Sequence, residues 1–99
     1  MIAGMNSLDF IRSRLRELRL RHGLTQQELA EIADFSQNFL QQIESGRKRE
    51  IWVSTVERLA AAFSLELHEF LAPELPKKTK LAKPPVSSRV HTHKKKKAS

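Results

Sequence analysis

The tightest constraint on this chain lies between Thr25 and Gly46, in TQQELAEIADFSQNFLQQIESG, where start and stop signals for two short helices follow one another. Thr25 caps a helix, and Glu28 completes a capping box. Each of the two side chains takes up an N–H that the first helical turn leaves without a partner. Leu29, Ala30 and Ala33 continue at helical spacing. The pattern breaks at Asp34-Phe35. Ser36 then offers a second N-cap, with Leu40 and Ile43 as the apolar positions of the helix it opens. Gly46 ends that helix, because the residue after a helix often turns left-handed, at no Cβ cost to glycine. Neither helix is long enough to bury much surface alone, so the pair needs a core shared with its neighbours. The second helix also carries Gln37, Asn38, Gln41 and Gln42. A side-chain amide presents a donor and an acceptor on one plane, which matches the N6 donor and N7 acceptor of adenine in the major groove. The same residues also make an ordinary solvated face.

The flanking segments read as helices too. Asn6 or Ser7 caps a helix running to about Arg21, with Asp9 near its positive end. Leu8, Ile11, Leu15 and Leu18 form its apolar stripe. Arg12, Arg16 and Arg19 follow along an adjacent face, where they serve solubility or flank a phosphate backbone. His22-Gly23 closes the helix, His22 as a solvated end residue and Gly23 as its stop. After Gly46 the basic triplet Arg47-Lys48-Arg49 leads into an apolar anchor, Ile51-Trp52-Val53. For Trp52 a core plug or subunit contact is preferred to base stacking. Ser54 and Glu57 form a further capping box for a helix to about Phe63 with Val56, Leu59, Ala60 and Phe63 buried. Leu67, Phe70 and Leu71 suit a last short helix, ended by Pro73. No stretch alternates with the period of a strand. The expected fold is all-α: a five-helix domain over residues 1–75, at a size where a single core is marginal and a dimer would add buried area.

Composition changes after Pro73. The 99-residue chain has a net charge of +7, but residues 1–75 hold nine basic against eleven acidic residues, a net of −2, and residues 76–99 hold nine basic residues and no acid. Lys-rich, proline-rich and poor in apolar bulk, residues 76–99 are expected to be a disordered basic tail. Such a polycation either solubilises the chain or adds sequence-independent phosphate binding. His91 and His93 make a poor metal site in such a tail. The chain lacks cysteine, which removes disulfides and Cys-based metal sites and suits a reducing cytoplasm. No apolar run reaches transmembrane length, and the N-terminus lacks the pattern of a secretory signal, so a cytoplasmic protein is expected. No phosphate-binding glycine loop or paired-carboxylate site is present, and neither enzyme activity nor a cofactor is expected.

LRELRLRHGLTQQELAEIADFSQNFLQQIESG resembles the helix-turn-helix of lambda repressor and Cro-type regulators, the XRE family. The likeness runs from about Leu8 to Leu71. It rests on the GLTQ-x-ELA run, the small residue at Ala30, and apolar positions at Leu29, Ala33, Phe35, Leu40 and Ile43. The Ile43-Glu44-Ser45-Gly46 ending and the following RLA-x-AF helix complete it. The resemblance implies a lambda repressor-like DNA-binding domain with its motif at about 25–46 and a recognition helix over Ser36–Ser45. Gln37, Asn38 and Gln42, with Gln41 on the same face, are then the base readers. Gln26, Ser45, Arg47, Lys48 and Arg49 are the implied phosphate contacts. Arg19 is implied to be a further phosphate contact, oriented by Glu44, with a purely structural ion pair between the two as the alternative reading. The chain departs from the family's pattern in two places. Asp34 stands where the turn usually has glycine, and Asp tolerates the left-handed region better than most residues. The loop from Arg47 to Val53 is about one residue longer than is common. Phe39 is expected to pack rather than touch DNA.

These readings imply a sequence-specific regulator of transcription, a repressor that binds double-stranded DNA as a homodimer on a palindromic operator. The alternative is an antitoxin that binds a co-encoded toxin protein through its tail and regulates its own operon. A restriction–modification controller overlaps with both.

Overall fold

A computed structural model describes residues 7–84. Five helices follow in order: α1 (Ser7–Arg21), α2 (Gln26–Ala33), α3 (Gln37–Ser45), α4 (Val53–Ala62) and α5 (Leu67–Phe70). No strand occurs among the described residues, so the fold is all-α as expected. Leu15 and Leu18 of α1, Leu29 of α2, Leu40 of α3, and Leu59 and Phe63 of the α4 region are fully enclosed in one core. Leu8 and Ile11 are only half-buried, and Ile11 packs against the edge of this core. The α2–α3 packing is the most extensive between helices, and α1 and α4 lie against this pair. The helix-turn-helix is thus wedged between the two longer helices.

Local signals account for most boundaries. Thr25 and Glu28 form the capping box, with the Glu28 N–H donating to Thr25 Oγ1 at 3.0 Å and the Thr25 N–H to Glu28 Oε1 at 2.9 Å. Gly23 and Gly46 end α1 and α3 at φ of 66° and 83°. The start of α4 differs from expectation. Its cap is Trp52, whose carbonyl accepts from the N–H groups of Thr55 and Val56, and no side chain caps it. Ser54 therefore lies inside the helix, and the Ser54–Glu57 box does not form. The Ile51-Trp52-Val53 anchor is also only partly realised. Ile51 packs on the core, whereas Trp52 is 75% and Val53 63% exposed. A capping box does form at α5, between Glu66 and Glu69.

Arg14, on the apolar face of α1 between Ile11 and Leu18, is buried and reaches the end of α5. Its guanidinium donates to the carbonyls of Phe70 (2.7 Å), Ala72 (2.8 Å) and Pro73 (3.2 Å). The five arginines of α1 therefore do not form a single class: Arg14 is an internal cap, and Arg16 is exposed.

The structure also differs from the expected tail over its first part. Residues 75–82 run back along the domain, with Leu75 and Leu81 against the core. The Ala82 N–H donates to the Ala62 carbonyl at 2.8 Å, and Arg21 donates to the Pro76 carbonyl at 2.9 Å. Leu81, set among the lysines, and Leu75 just before them supply apolar area that a polar tail lacks. The rest of the expected disordered tail, residues 85–99 with His91 and His93, lies outside the described residues, as does Asn6.

His22 is part of this strap. It is half-buried rather than solvated, with its ring 5.5 Å from that of Phe63 and Nε2 2.7 Å from Thr79 Oγ1. Burial, helped by the neighbouring Arg21 charge, lowers its pKa below the ordinary 6.5. The folded state thus favours the neutral ring. Above pH ~6.5 the unfolded chain is neutral here as well, and the contribution is intact. As pH falls through 6.5 toward the native value, the unfolded state binds the proton first and stability drops. Denaturant midpoints measured between pH 7.5 and 5.5 are expected to fall for the wild type and to fall less for His22→Gln. Parallel curves for the two proteins would remove His22 as the source of the acid sensitivity.

Candidate nucleic-acid interface

The turn between α2 and α3 sets the site. Asp34 takes the left-handed conformation at φ 65°, ψ 45°, as expected for a short polar side chain in the place of glycine. The Phe35 N–H then closes back onto the Ala30 carbonyl at 2.8 Å. Arg58 of α4 holds the corner from outside. It donates to the backbone carbonyls of Asp34 (2.6 Å) and Ala33 (3.2 Å), and its guanidinium lies 4.0 Å from the centroid of the Phe35 ring. Sequence reasoning missed this residue, since nothing local to α4 marks Arg58 as a partner of the turn. Ser36 then caps α3, its Oγ accepting the Phe39 N–H at 3.1 Å.

On α3 the burial pattern separates the two faces. Leu40, Ile43 and Glu44 are buried, while Gln37, Asn38, Gln41 and Ser45 are exposed and Gln42 is half-exposed. All four expected base readers thus share the outer side of one helix, with Gln37 and Asn38 in its first turn. Phe39 packs against Phe35 with ring centroids 4.9 Å apart, and the Lys48 ammonium sits 4.9 Å from its centroid.

The inner face of α3 is held by Glu44, whose side chain is 4% exposed. Arg19 meets it in a two-pronged pair, Nε to Oε2 at 2.7 Å and Nη2 to Oε1 at 2.9 Å, and Gln26 Nε2 donates to Oε1 at 3.1 Å. The third arm of Arg19, Nη1, donates to the Leu24 carbonyl at 2.8 Å. Arg19 is 13% exposed and paired with Glu44, the contact that both readings of the resemblance require. Its guanidinium links α1, the α1–α2 loop and α3. Gln26, at the first position of α2, is positioned by the same carboxylate, a contact that sequence reasoning did not foresee. The adjacent N-terminal N–H groups and helix dipole of α2 favour an anion there.

At the far end of α3, Ser45 Oγ donates to the Gln42 carbonyl at 3.2 Å, so this hydroxyl already makes one internal bond. The N–H groups of Arg47 and Lys48 close onto the same carbonyl at 3.0 and 3.3 Å. These bonds turn the chain so that Arg47 and Arg49 are exposed and Lys48 is half-exposed. At Gly46, a Cβ would meet Arg12 Nε at 3.5 Å, an ordinary contact, so its positive φ rather than lack of space favours glycine.

The described residues contain no group of three or more His, Cys, Asp or Glu placed to hold a metal, and no helix long and apolar enough to cross a membrane. What the surface does offer is an amide-bearing helix flanked by a polar helix N-terminus and a basic loop. Comparison with curated proteins returns no match. Comparison with protein families matches residues 15–70, more than half of the chain, to the helix-turn-helix family HTH_3. The match runs from mid-α1 to the end of α5 and so includes the capped turn, the Arg19–Glu44 pair and the outward face of α3. The chain therefore belongs to this family, the XRE-type helix-turn-helix proteins, and is a DNA-binding regulator of transcription.

Proposed function

We propose that this regulator reads a specific duplex sequence through α3 and represses transcription as a cytoplasmic homodimer on a palindromic operator. The observation that carries the reading is the fixing of α3 by Glu44. One buried carboxylate ties the recognition helix to both α1 and Gln26. The amide face and the α2 N-terminus are thereby held in a constant relation. Gln37, Asn38, Gln41 and Gln42 address base edges in the major groove. Gln26 and Ser45, with Arg47, Lys48 and Arg49, hold phosphates on either side, which fixes register without adding sequence information. Arg19 acts one step back, by orienting the carboxylate. Two copies related by a two-fold axis would set their α3 helices into successive major grooves about 34 Å apart, and repression would follow from occluding a promoter. The antitoxin alternative, with a tail that folds on a toxin, has less support over residues 76–82, because those residues pack on α1 and α4 of their own domain.

Selection of bound duplexes from a random pool tests the reading. A palindrome with half-sites one helical turn apart is the expected product, and enrichment of an asymmetric site would remove the homodimer. On the selected site, Gln37→Ala is expected to cost about 1–3 kcal/mol and to relax preference at a single base pair. Equal loss on selected and scrambled duplexes would take Gln37 out of base reading.

A further inference from the structure

Trp52 is the only tryptophan of the chain, and it is 75% exposed. Tryptophan is on average well buried, so a largely solvated indole beside a binding surface stands out. The ring does not stand alone. It borders an open hollow of about 710 Å³ lined also by Phe39, Gln42, Arg47, Lys48, Arg49 and Glu50. An aromatic face, an amide of the recognition helix and three cations thus share one concave surface at the C-terminal end of α3. The Trp52 backbone is held by two hydrogen bonds of the first turn of α4, from the Thr55 N–H at 2.9 Å and the Val56 N–H at 3.1 Å. The indole is therefore presented from a fixed point.

We propose that Trp52 is a DNA-backbone contact, its indole packing on the deoxyribose–phosphate chain that passes the end of α3. The proposal rests on the reading of α3 as the base-reading helix and adds a residue to it. Charge chooses the occupant. Three cations against one carboxylate favour a polyanion. A second copy of the chain is disfavoured, because a two-fold contact centred on Trp52 would bring both basic triplets together. At physiological salt, screening acts over about 8 Å, too far to relieve charges in direct apposition. The chemistry of the indole fits the sugar–phosphate chain on both counts. Its apolar face covers a deoxyribose, and its N–H donates to a phosphate oxygen. Such a contact carries no base information, so it raises affinity on all sequences and leaves Gln37 and Asn38 to discriminate.

The test uses the full chain and an end-labelled duplex of mixed sequence at low salt, with label anisotropy and indole emission followed in one titration. Emission is expected to change in step with anisotropy and to revert on adding salt, while dilution of the free protein leaves it constant. Trp52→Ala should bind the mixed duplex about five- to tenfold more weakly, and Trp52→Phe should recover part of the loss. Because the side chain is largely solvated, both variants should keep the wild-type helical circular dichroism. Duplex binding with unchanged emission, or equal affinity of Trp52→Ala and wild type, would overturn the contact while leaving DNA binding intact. Emission that follows protein concentration without DNA would give the surface to a second copy and overturn the proposal. Absence of any anisotropy change would remove the DNA reading itself, and this contact with it.

Discussion

Glu44→Ala is expected to destabilise the domain by roughly 3–5 kcal/mol, the range for breaking a buried ion pair by removing one partner. The carboxylate takes three hydrogen bonds, two from Arg19 and one from Gln26. Its loss leaves the Arg19 guanidinium enclosed with only the Leu24 carbonyl as a partner. Against a total stability of about 5–15 kcal/mol for a small domain, that is a large share. The exposed pairs of this chain offer the contrast. Arg21–Glu17 at 3.7 Å involves a half-solvated carboxylate, and such pairs contribute about 0–1 kcal/mol. Replacing both partners together separates the worth of the pair from the penalty of orphaning a charge. Arg19→Met with Glu44→Leu removes both charges and should recover much of the stability lost in Glu44→Ala alone. DNA binding should not recover with it, because Gln26 still lacks its carboxylate and α3 its tie to α1. Denaturant midpoints and duplex titrations on the three proteins check this. A single-mutant cost below about 1 kcal/mol would place the pair with the surface bridges.

What the sequence made legible follows how far apart the partners stand. The Thr25–Glu28 box, the Ser36 cap and the stops at Gly23 and Gly46 depend on neighbours within one helical turn, and each is formed as read. The exposed face of α3 was legible for the same reason, since Leu40 and Ile43 fix which way the helix turns. The Arg19–Glu44 pair spans two helices and came from the family resemblance. Contacts with no local mark were missed. Arg58 reaches Asp34 across the fold, and Gln26 reaches Glu44. His22 reads as a solvated helix end, because its partner Thr79 lies in a stretch whose lysines outweigh Leu81 in any compositional reading. The Ser54–Glu57 pattern was a true local signal that lost. Helix α4 starts earlier, on a tryptophan carbonyl, and a serine inside the first turn no longer occupies the capping position.

Arg14 is the strongest case of a residue whose chemistry periodicity hides, and its removal is the second large effect expected. Its side chain is 8% exposed, on the apolar face of α1, where a charge is costly unless every strong donor finds a partner. The partners are the last carbonyls of α5 and the turn after it. A helix of four residues cannot satisfy these carbonyls internally, and the negative end of its dipole favours a cation. Burial lowers the Arg14 pKa, but a guanidinium remains protonated in proteins, so the bonds stay charge-assisted. Arg14→Met keeps most of the stem's packing and removes all three bonds. The Phe70 carbonyl is the one enclosed most, while those of Ala72 and Pro73 regain water on opening. The expected cost is therefore about 2–3 kcal/mol, nearer that of one buried acceptor left unpaired than of three. Arg14→Lys supplies a point charge without the fork, and should recover only part of it. Hydrogen exchange locates the damage: amides of Phe70 and Leu71 should lose protection before those of α2 and α3. Because Arg14 touches neither α2 nor α3 through these bonds, affinity for duplex per folded molecule should hold. That separates it from Glu44→Ala, where stability and binding fall together. Equal loss of protection in α3 and α5 would mean that the domain opens as one unit, and that Arg14 holds the whole core rather than its last helix.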